Sequence, residues 1–347
     1  MPKDDTTLTK IGELLPSTMR RIQKKARATQ GPSPIQRRLF DVAALSAQGD
    51  YEQSILFQHS VFCQTSLPPR DPGADVRVWE RQNGDATLRI TAGMVMHPVE
   101  KVFVPIGLPF GPKARLVLLT VNQRAILTQS PVLDVDKSLT SFVCNMLKLS
   151  NKGENITAVK DQLARLSAST IQLGLARDGH ATTINSQIVT AFDLWFPKND
   201  RQRVLWPTAI RLSHEYFQDL LTHAVPLDEN HIAALSHNSL ALDIYSWLAQ
   251  RLHRVPTSAP QHISWVALYD QFGQGYDRLR KFREVFRTAL KQVLLVYRTA
   301  RVDDCAPKPA RAYVINGRTL YREEPPTGLW LYNSPPPVTK QLALRSS

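Results

Sequence analysis

Apolar residues recur with helical spacing over 112–129, where Leu116, Leu119, Val121 and Ala125 follow Pro112, a residue suited to a first helical turn. Upstream, over 53–108, the pattern breaks into short runs. Val76-Arg77-Val78-Trp79 and Ala86-Thr87-Leu88-Arg89-Ile90-Thr91 alternate at period two around Asn83-Gly84, which predicts a β-hairpin. Downstream, the pattern predicts a strand over 132–135, Asp136 as an N-cap, and a helix over 139–149 with Phe142, Val143 and Met146 inward. A polar turn at 151–153 leads to a helix over 156–168, with Ile156, Val159, Leu163 and Leu166 on one face. Strands over 170–176 and 182–195, joined by Arg177-Asp178-Gly179-His180, complete a hairpin.

After the polar break Phe196-Pro197-Lys198-Asn199-Asp200, the same order begins again with different residues. A strand over 208–212 and a helix over 214–221 precede a helix over 239–254, whose Leu240, Ile244, Trp247, Leu248 and Leu252 share one face. A short strand at 263–264, a helix over 265–272, the turn Gly273-Gln274-Gly275 and a long helix over 277–298 follow. Strands over 312–315 and 318–321 flank Asn316-Gly317, and Leu329-Trp330-Leu331-Tyr332 closes the second hairpin. Helix, strand, helix, turn, helix and hairpin is the order of a winged helix. The expected fold class is therefore α+β, with tandem winged-helix (helix-turn-helix) domains behind a basic, flexible N-terminal arm. The expected divisions are the arm at 1–48, a first domain with leading β-hairpins at 49–200, a second at 201–335 and a tail at 336–347. Helical pieces are plausible within the arm at 17–29 and 34–47, and removing 1–48 is expected to spare the fold.

Charge adds a partner. The 347 residues carry 43 Lys and Arg against 30 Asp and Glu, a formal net charge of +13. A polyanion bound by many such cations releases condensed counterions, so double-stranded DNA is the leading partner. A helix that reads bases in the major groove is apolar inside and basic outside. The helix over 277–298 meets both conditions. Leu279, Phe282, Phe286, Ala289, Leu290 and Val293 face the core; Arg280, Arg287 and Lys291 project from the opposite side, with Arg278, Lys281 and Arg283 on its flanks. Its acidic residues are chiefly Asp277 and Glu284, fewer than an ordinary solvated face carries. The equivalent helix over 156–168 exposes Thr157, Asp161 and Arg165 with Lys160 to one side, a thinner charge that an ordinary amphipathic helix or a dimer contact also explains. Arg177, at the tip of the first hairpin, is a candidate phosphate contact, although polar tips are common.

Other chemistry is missing from the chain. There is no G-x-x-x-x-G-K-[ST] loop, H-E-x-x-H, C-x-x-C or G-x-S-x-G, nor the His-x-His pair expected of a nicking enzyme. No enzymatic activity, cofactor or metal is expected. His214, His223, His231, His237, His253 and His262 lack ligand spacing and carboxylate pairing, and read as structural. Cys63, Cys144 and Cys305 are odd in number and far apart, which argues for reduced thiols. No stretch reaches the roughly 20 apolar residues of a membrane helix, and Met1-Pro2-Lys3-Asp4-Asp5 lacks the core of a signal peptide. A cytoplasmic protein associated with nucleoid or plasmid DNA is expected.

At Phe62-Cys63-Gln64-Thr65-Ser66-Leu67-Pro68, Arg70-Asp71-Pro72 and Trp79-Glu80-Arg81-Gln82-Asn83-Gly84, the sequence resembles the RepA-type plasmid replication initiators of proteobacteria. The likeness continues through Gly107-Leu108-Pro109-Phe110-Gly111-Pro112-Lys113-Ala114-Arg115, Ser130-Pro131-Val132 and Ser138-Leu139, and as far as Gly328-Leu329-Trp330-Leu331. It spans roughly 50–335. The resemblance implies binding to origin repeats, opening of the adjacent duplex, and recruitment of the host replication initiator and replicative helicase. It also implies a homodimeric state for autorepression, and it brings no catalytic residue with it. A transcriptional repressor with no replication role is the alternative reading.

Overall fold

The computed structural model describes residues 31–48, 54–96, 100–134, 138–177, 180–186, 188–191, 209–304, 311–315, 318–322 and 328–338. Their helices and strands form a mixed α+β structure.

The chain enters through helix α1 (Pro34–Gln48), opened by a reciprocal capping box in which Gln36 N–H donates to Ser33 Oγ and Ser33 N–H donates to Gln36 Oε1. This corrects the expectation of a free arm over 34–48. Leu39 and Val42 on one face of α1 are buried, because the helix docks on two later helices, α7 (Glu229–Leu235) and α10 (Leu279–Val296). Ser46 Oγ lies 3.1 Å from His231 Nε2 at that contact. The piece expected at 17–29 lies outside the described residues.

Strand β1 (Ile55–His59) pairs antiparallel with β11 (Ala224–Asp228), so that Ile55 faces Asp228 and His59 faces Ala224. The predicted hairpin forms as β2 (Val78–Asn83) and β3 (Ala86–Thr91), and Gly84 supplies the left-handed turn conformation at φ +55°. Strand β3 continues into β7 (Thr170–Arg177) and β8 (His180–Ser186), giving a four-stranded sheet in the order β2-β3-β7-β8. The predicted 182–195 strand is interrupted: after β8 comes a separate β9 (Val189–Ala191), which joins β10 (Ala209–Leu212) and β6 (Val132–Asp134) in another sheet.

Helix α3 (Gly111–Thr128) runs through the core with Ala114, Leu116–Leu119, Val121 and Ala125 buried. The helix expected over 139–149 is instead one turn, Leu139–Ser141, widened into a π-helical turn over Phe142–Met146. Leu147 N–H reaches back to Phe142 O at 3.1 Å, and the wider turn lets neighbouring Phe142 and Val143 both face the core. Helix α5 (Gly153–Ala168) buries Val159, Leu163 and Leu166 as its periodicity predicts.

The expected boundary at residue 200 lies outside the described residues, and packing runs across it. Besides the β1–β11 pair, α3 touches α8 (Ser239–Arg251), and one cluster of buried apolar side chains takes members from both parts of the chain. Arg115 on α3 makes a bidentate pair with Asp243 on α8, Nε to Oδ1 at 2.6 Å and Nη2 to Oδ2 at 2.7 Å. The remaining guanidinium protons reach the carbonyls of Leu67 at 2.7 Å and Gly111 at 2.8 Å. Burial pushes the Asp243 carboxyl pKa up, and the Arg115 charge opposes that rise.

Candidate nucleic-acid interface

Helix α9 (Trp265–Phe272) begins at Ser264, whose Oγ accepts from Ala267 N–H at 3.1 Å. It ends at Gly273, where a Cβ would meet Tyr269 O at 2.6 Å and the Tyr269 ring at 2.4 Å. Gly275 then takes φ +90°, and the chain turns into α10. The Tyr269 hydroxyl donates to Tyr276 O across this turn. An aromatic cluster fixes the two helices against each other: Trp265 meets Phe286 edge-on at 5.7 Å and Tyr269 meets Phe282 at 5.4 Å. Both rings of α10 are completely buried, as are Ala289 and Val293. The inner face is therefore the one that the periodicity predicts.

Strand β12 (Gln261–Ser264), immediately before α9, pairs with β16 (Gly328–Leu331), whose other edge holds β13 (Val302–Asp303). Gly328 permits the close crossing, since a Cβ there would lie 1.9 Å from Ile263 O. Strands β14 (Arg311–Ile315) and β15 (Arg318–Arg322) form a separate hairpin between β13 and β16.

The outer face of α10 is basic but divides into two groups. Arg278, Arg280, Lys281 and Lys291 are exposed, and Lys281 makes a 3.0 Å surface pair with Glu284. Arg283 and Arg287 are half-buried: their guanidiniums lie 5.7 and 5.2 Å from the centre of the Trp265 ring. Arg287 Nε also lies 3.0 Å from Asp304 Oδ2, just beyond β13. Sequence periodicity places Arg287 among the outward cations, and the structure holds it against a carboxylate and an indole.

On α5, Thr157 is exposed and Lys160 half-buried, but Arg165 is turned inward. Its Nε meets Asp161 at 2.9 Å, Nη1 donates to Leu108 O at 3.1 Å, Nη2 lies 3.3 Å from Asp71, and the group stacks over Phe110 at 4.9 Å. Arg165 thus ties α5 to the 107–110 loop, paired along the helix with Asp161. The Arg177 side chain and the hairpin tip at 178–179 lie outside the described residues.

One constellation escaped the sequence reading. Asp219 on α6 (His214–His223) accepts from His59 Nε2 at 2.5 Å and from His223 Nδ1 at 2.9 Å. This corrects the reading of His223 as lacking a carboxylate partner, which its i,i+4 spacing from Asp219 could have shown; His59, far away in β1, gave no such signal. Burial drives the His59 pKa down, opposed by Asp219. For Asp219, burial raises the carboxyl pKa but the two histidines outweigh it and lower it. The three side chains are close enough together for a metal ion, but His59 Nδ1 accepts Val61 N–H at 3.2 Å. A metal on Nε2 would put the ring proton on Nδ1, against that donor. The arrangement fits a hydrogen-bonded relay rather than a ligand set. Cys63 is buried, which raises its thiol pKa, Cys144 is half-buried, and Cys305 lies outside the described residues.

No helix among the described residues is long and apolar enough to cross a membrane. No curated protein matches the chain. Two crystal structures of RctB are similar in outline. The selenomethionine form of its domains 2 and 3 has 10% identity and a TM-score of 0.46, over 80% of this chain and 97% of that one. The other structure of domains 2–3 has 10% identity and a TM-score of 0.44, over 79% and 96%. Residues 109–271 match the family described as plasmid-encoded RepA protein, so the strings at 62–68, 79–84 and 328–331 fall outside the match. Over that segment, a little under half of its length, the chain resembles the plasmid-encoded RepA proteins.

Proposed function

We propose that the protein is a plasmid replication initiator that binds duplex origin repeats sequence-specifically, opens the adjacent duplex, and works without a catalytic site or cofactor. The observation that carries this reading is α10. It is a helix with a fully apolar inner face, set at the far side of a glycine turn from α9, and it exposes Arg280 and Lys291 outward. In this reading, 239–331 is a winged helix: α8, β12, α9 and α10 precede strands that return beside β12, and β14–β15 is the wing. The segment 111–191, with α3, β6, α5 and the β7–β8 hairpin, is its counterpart. Arg280 reads guanine; Arg278, Lys281 and Lys291 meet phosphate. Host initiator and helicase contacts, a homodimer for autorepression, and a cytoplasmic, plasmid-associated location complete the proposal.

Footprinting on the DNA flanking the gene tests it. Protection of regularly spaced direct repeats is the expected result, and protection of none of this DNA at low salt sinks it. On such a repeat, Arg280→Ala will cost about 1–3 kcal/mol and relax base preference at one position. A uniform loss over all sequences would reassign Arg280 to a phosphate. Asp304→Asn will act in the opposite direction, because it releases Arg287 and removes a negative charge beside the interface. Affinity for any duplex should rise by roughly threefold to tenfold, an effect on the order of 1 kcal/mol that shrinks as salt is added. Unchanged affinity in Asp304→Asn would mean that Arg287 stays on Trp265 regardless.

A further inference from the structure

A cavity of about 590 Å³ lies where early and late stretches of the chain meet. Its walls come from helix α2 (Ser60–Gln64), the β7–β8 hairpin, α6, β11 and the end of α8 with the turn that follows it. Two polar side chains form its inner surface. Gln250 is 3% exposed and Ser60 8%, yet among the described residues neither the Gln250 carboxamide nor the Ser60 hydroxyl has a hydrogen-bond partner. Burying such a group unpaired is unfavourable, and a bound molecule that supplies the missing bonds recovers that cost.

The cavity also carries one uncommitted charge of each sign. Asp219 lines it, but both of its carboxylate oxygens are taken, one by His59 and one by His223. The other carboxylate on the lining is Asp85, in the turn between β2 and β3, and the one guanidinium among the described lining residues is Arg254. Both are exposed, so they stand at the mouth, and among the described residues neither has an ion partner. A simple anion would be drawn to Arg254 and repelled by Asp85, and a simple cation the reverse; a molecule with one charge of each sign satisfies both. Leu173, Leu175 and Ile184 of the sheet add an apolar wall.

We propose that this cavity binds a zwitterion of amino-acid or dipeptide size. Its carboxylate meets Arg254, its ammonium meets Asp85, its hydrogen-bonding groups reach Gln250 and Ser60, and an aliphatic side chain lies on Leu173, Leu175 and Ile184. The volume is within the range of about 300–1,000 Å³ usual for small-molecule sites. None of these groups is on α10, so the site stands independently of the DNA-binding reading. Because its contacts come from both early and late stretches of the chain, a bound ligand holds them together and raises the melting temperature.

The test is thermal melting of the full-length protein with leucine, valine, glutamine and leucyl-leucine. At about 10 mM, at least one of them is expected to raise the melting temperature by roughly 3 °C or more. N-acetylleucine amide, which keeps the side chain and carries no charge, should leave it unchanged. The Asp85→Asn/Arg254→Ala double variant changes only exposed groups and should lose the shift, and Gln250→Leu should reduce it. Isothermal titration calorimetry on the same variants, with the probe that gave the largest shift, reads binding directly where a variant melts lower on its own. Failure of all four probes to shift the wild type overturns the proposal. So does an equal shift from N-acetylleucine amide, or wild-type affinity in the double variant.

Discussion

Arg115→Met will destabilise the protein by about 3–5 kcal/mol, because it leaves the Asp243 carboxylate buried without its counter-charge. The pair is bidentate and the guanidinium side chain is only 4% exposed, so water cannot replace it. Three carbonyls, of Leu67, Pro68 and Gly111, lose donors in the same step. The cost is therefore larger than that of a surface pair, typically below about 1 kcal/mol. Urea unfolding followed by tryptophan fluorescence measures it. Pairing the change with Asp243→Leu should restore much of the loss, since removing both charges removes the penalty of an orphaned one. If the double variant is no more stable than Arg115→Met alone, the carbonyl contacts rather than the ion pair hold this junction.

Removing residues 1–48 will lower stability by about 3–5 kcal/mol, whereas removing 1–31, which keeps the Ser33 cap of α1, will leave the melting temperature near that of the whole chain. The difference is α1. Leu39 is 3% exposed and Val42 9%, and burying such side chains is worth about 1.5–3 kcal/mol each. Deleting the helix also uncovers the apolar sides of α7 and α10 against which it packs. Thermal melts of the two truncations, with dye binding to report exposed apolar surface, check the expectation. Equal melting temperatures for both would mean that α1 does not hold its place in solution. The comparison also bears on DNA binding: a protein lacking 1–48 that binds weakly has lost a support of α10 as well as positive charge.

The periodicity of the chain disclosed most of its helices. Those over 112–129, 156–168, 239–254 and 265–272, and above all the long basic one, form close to where their apolar spacing puts them, because each carries apolar residues at helical spacing over several turns whatever it packs against. The Asn83-Gly84 hairpin was legible for a similarly local reason, a turn that only a few residues can make. Elements that depend on distant partners were not. Ile55-Leu56-Phe57 is a short continuous apolar run that gives no period, and its partner strand begins at Ala224. The seven-residue helix Glu229–Leu235 is too short for a stripe, although Asp228 caps it through Asn230 and His231 N–H.

At the candidate site, spacing separated inside from outside on α10 but could not see that Trp265 and Asp304 restrain Arg283 and Arg287. Nor could it see that residues of the strings at 62–68 and 79–84 serve packing. The carbonyls of Gln64, Leu67 and Pro68 and the side chain of Arg115 meet in one hydrogen-bonded junction with Asn83, Gln271 and Asp243. In this fold these residues belong to contacts that hold two distant stretches of the chain together.

The pairing of β1 with β11 also sets a schedule for biosynthesis. Ile55–His59 leaves the ribosome with its hydrogen-bonding edge open and its apolar side chains exposed, and the strand that covers it ends only at Asp228. At synthesis rates of about 5–20 residues per second, that interval is on the order of ten seconds or more. During it, the nascent chain presents a strand ready to pair with any other open edge, including that of a neighbouring copy. Slower translation of the middle of the gene would lengthen this exposure and lower the yield of folded protein without altering a single residue.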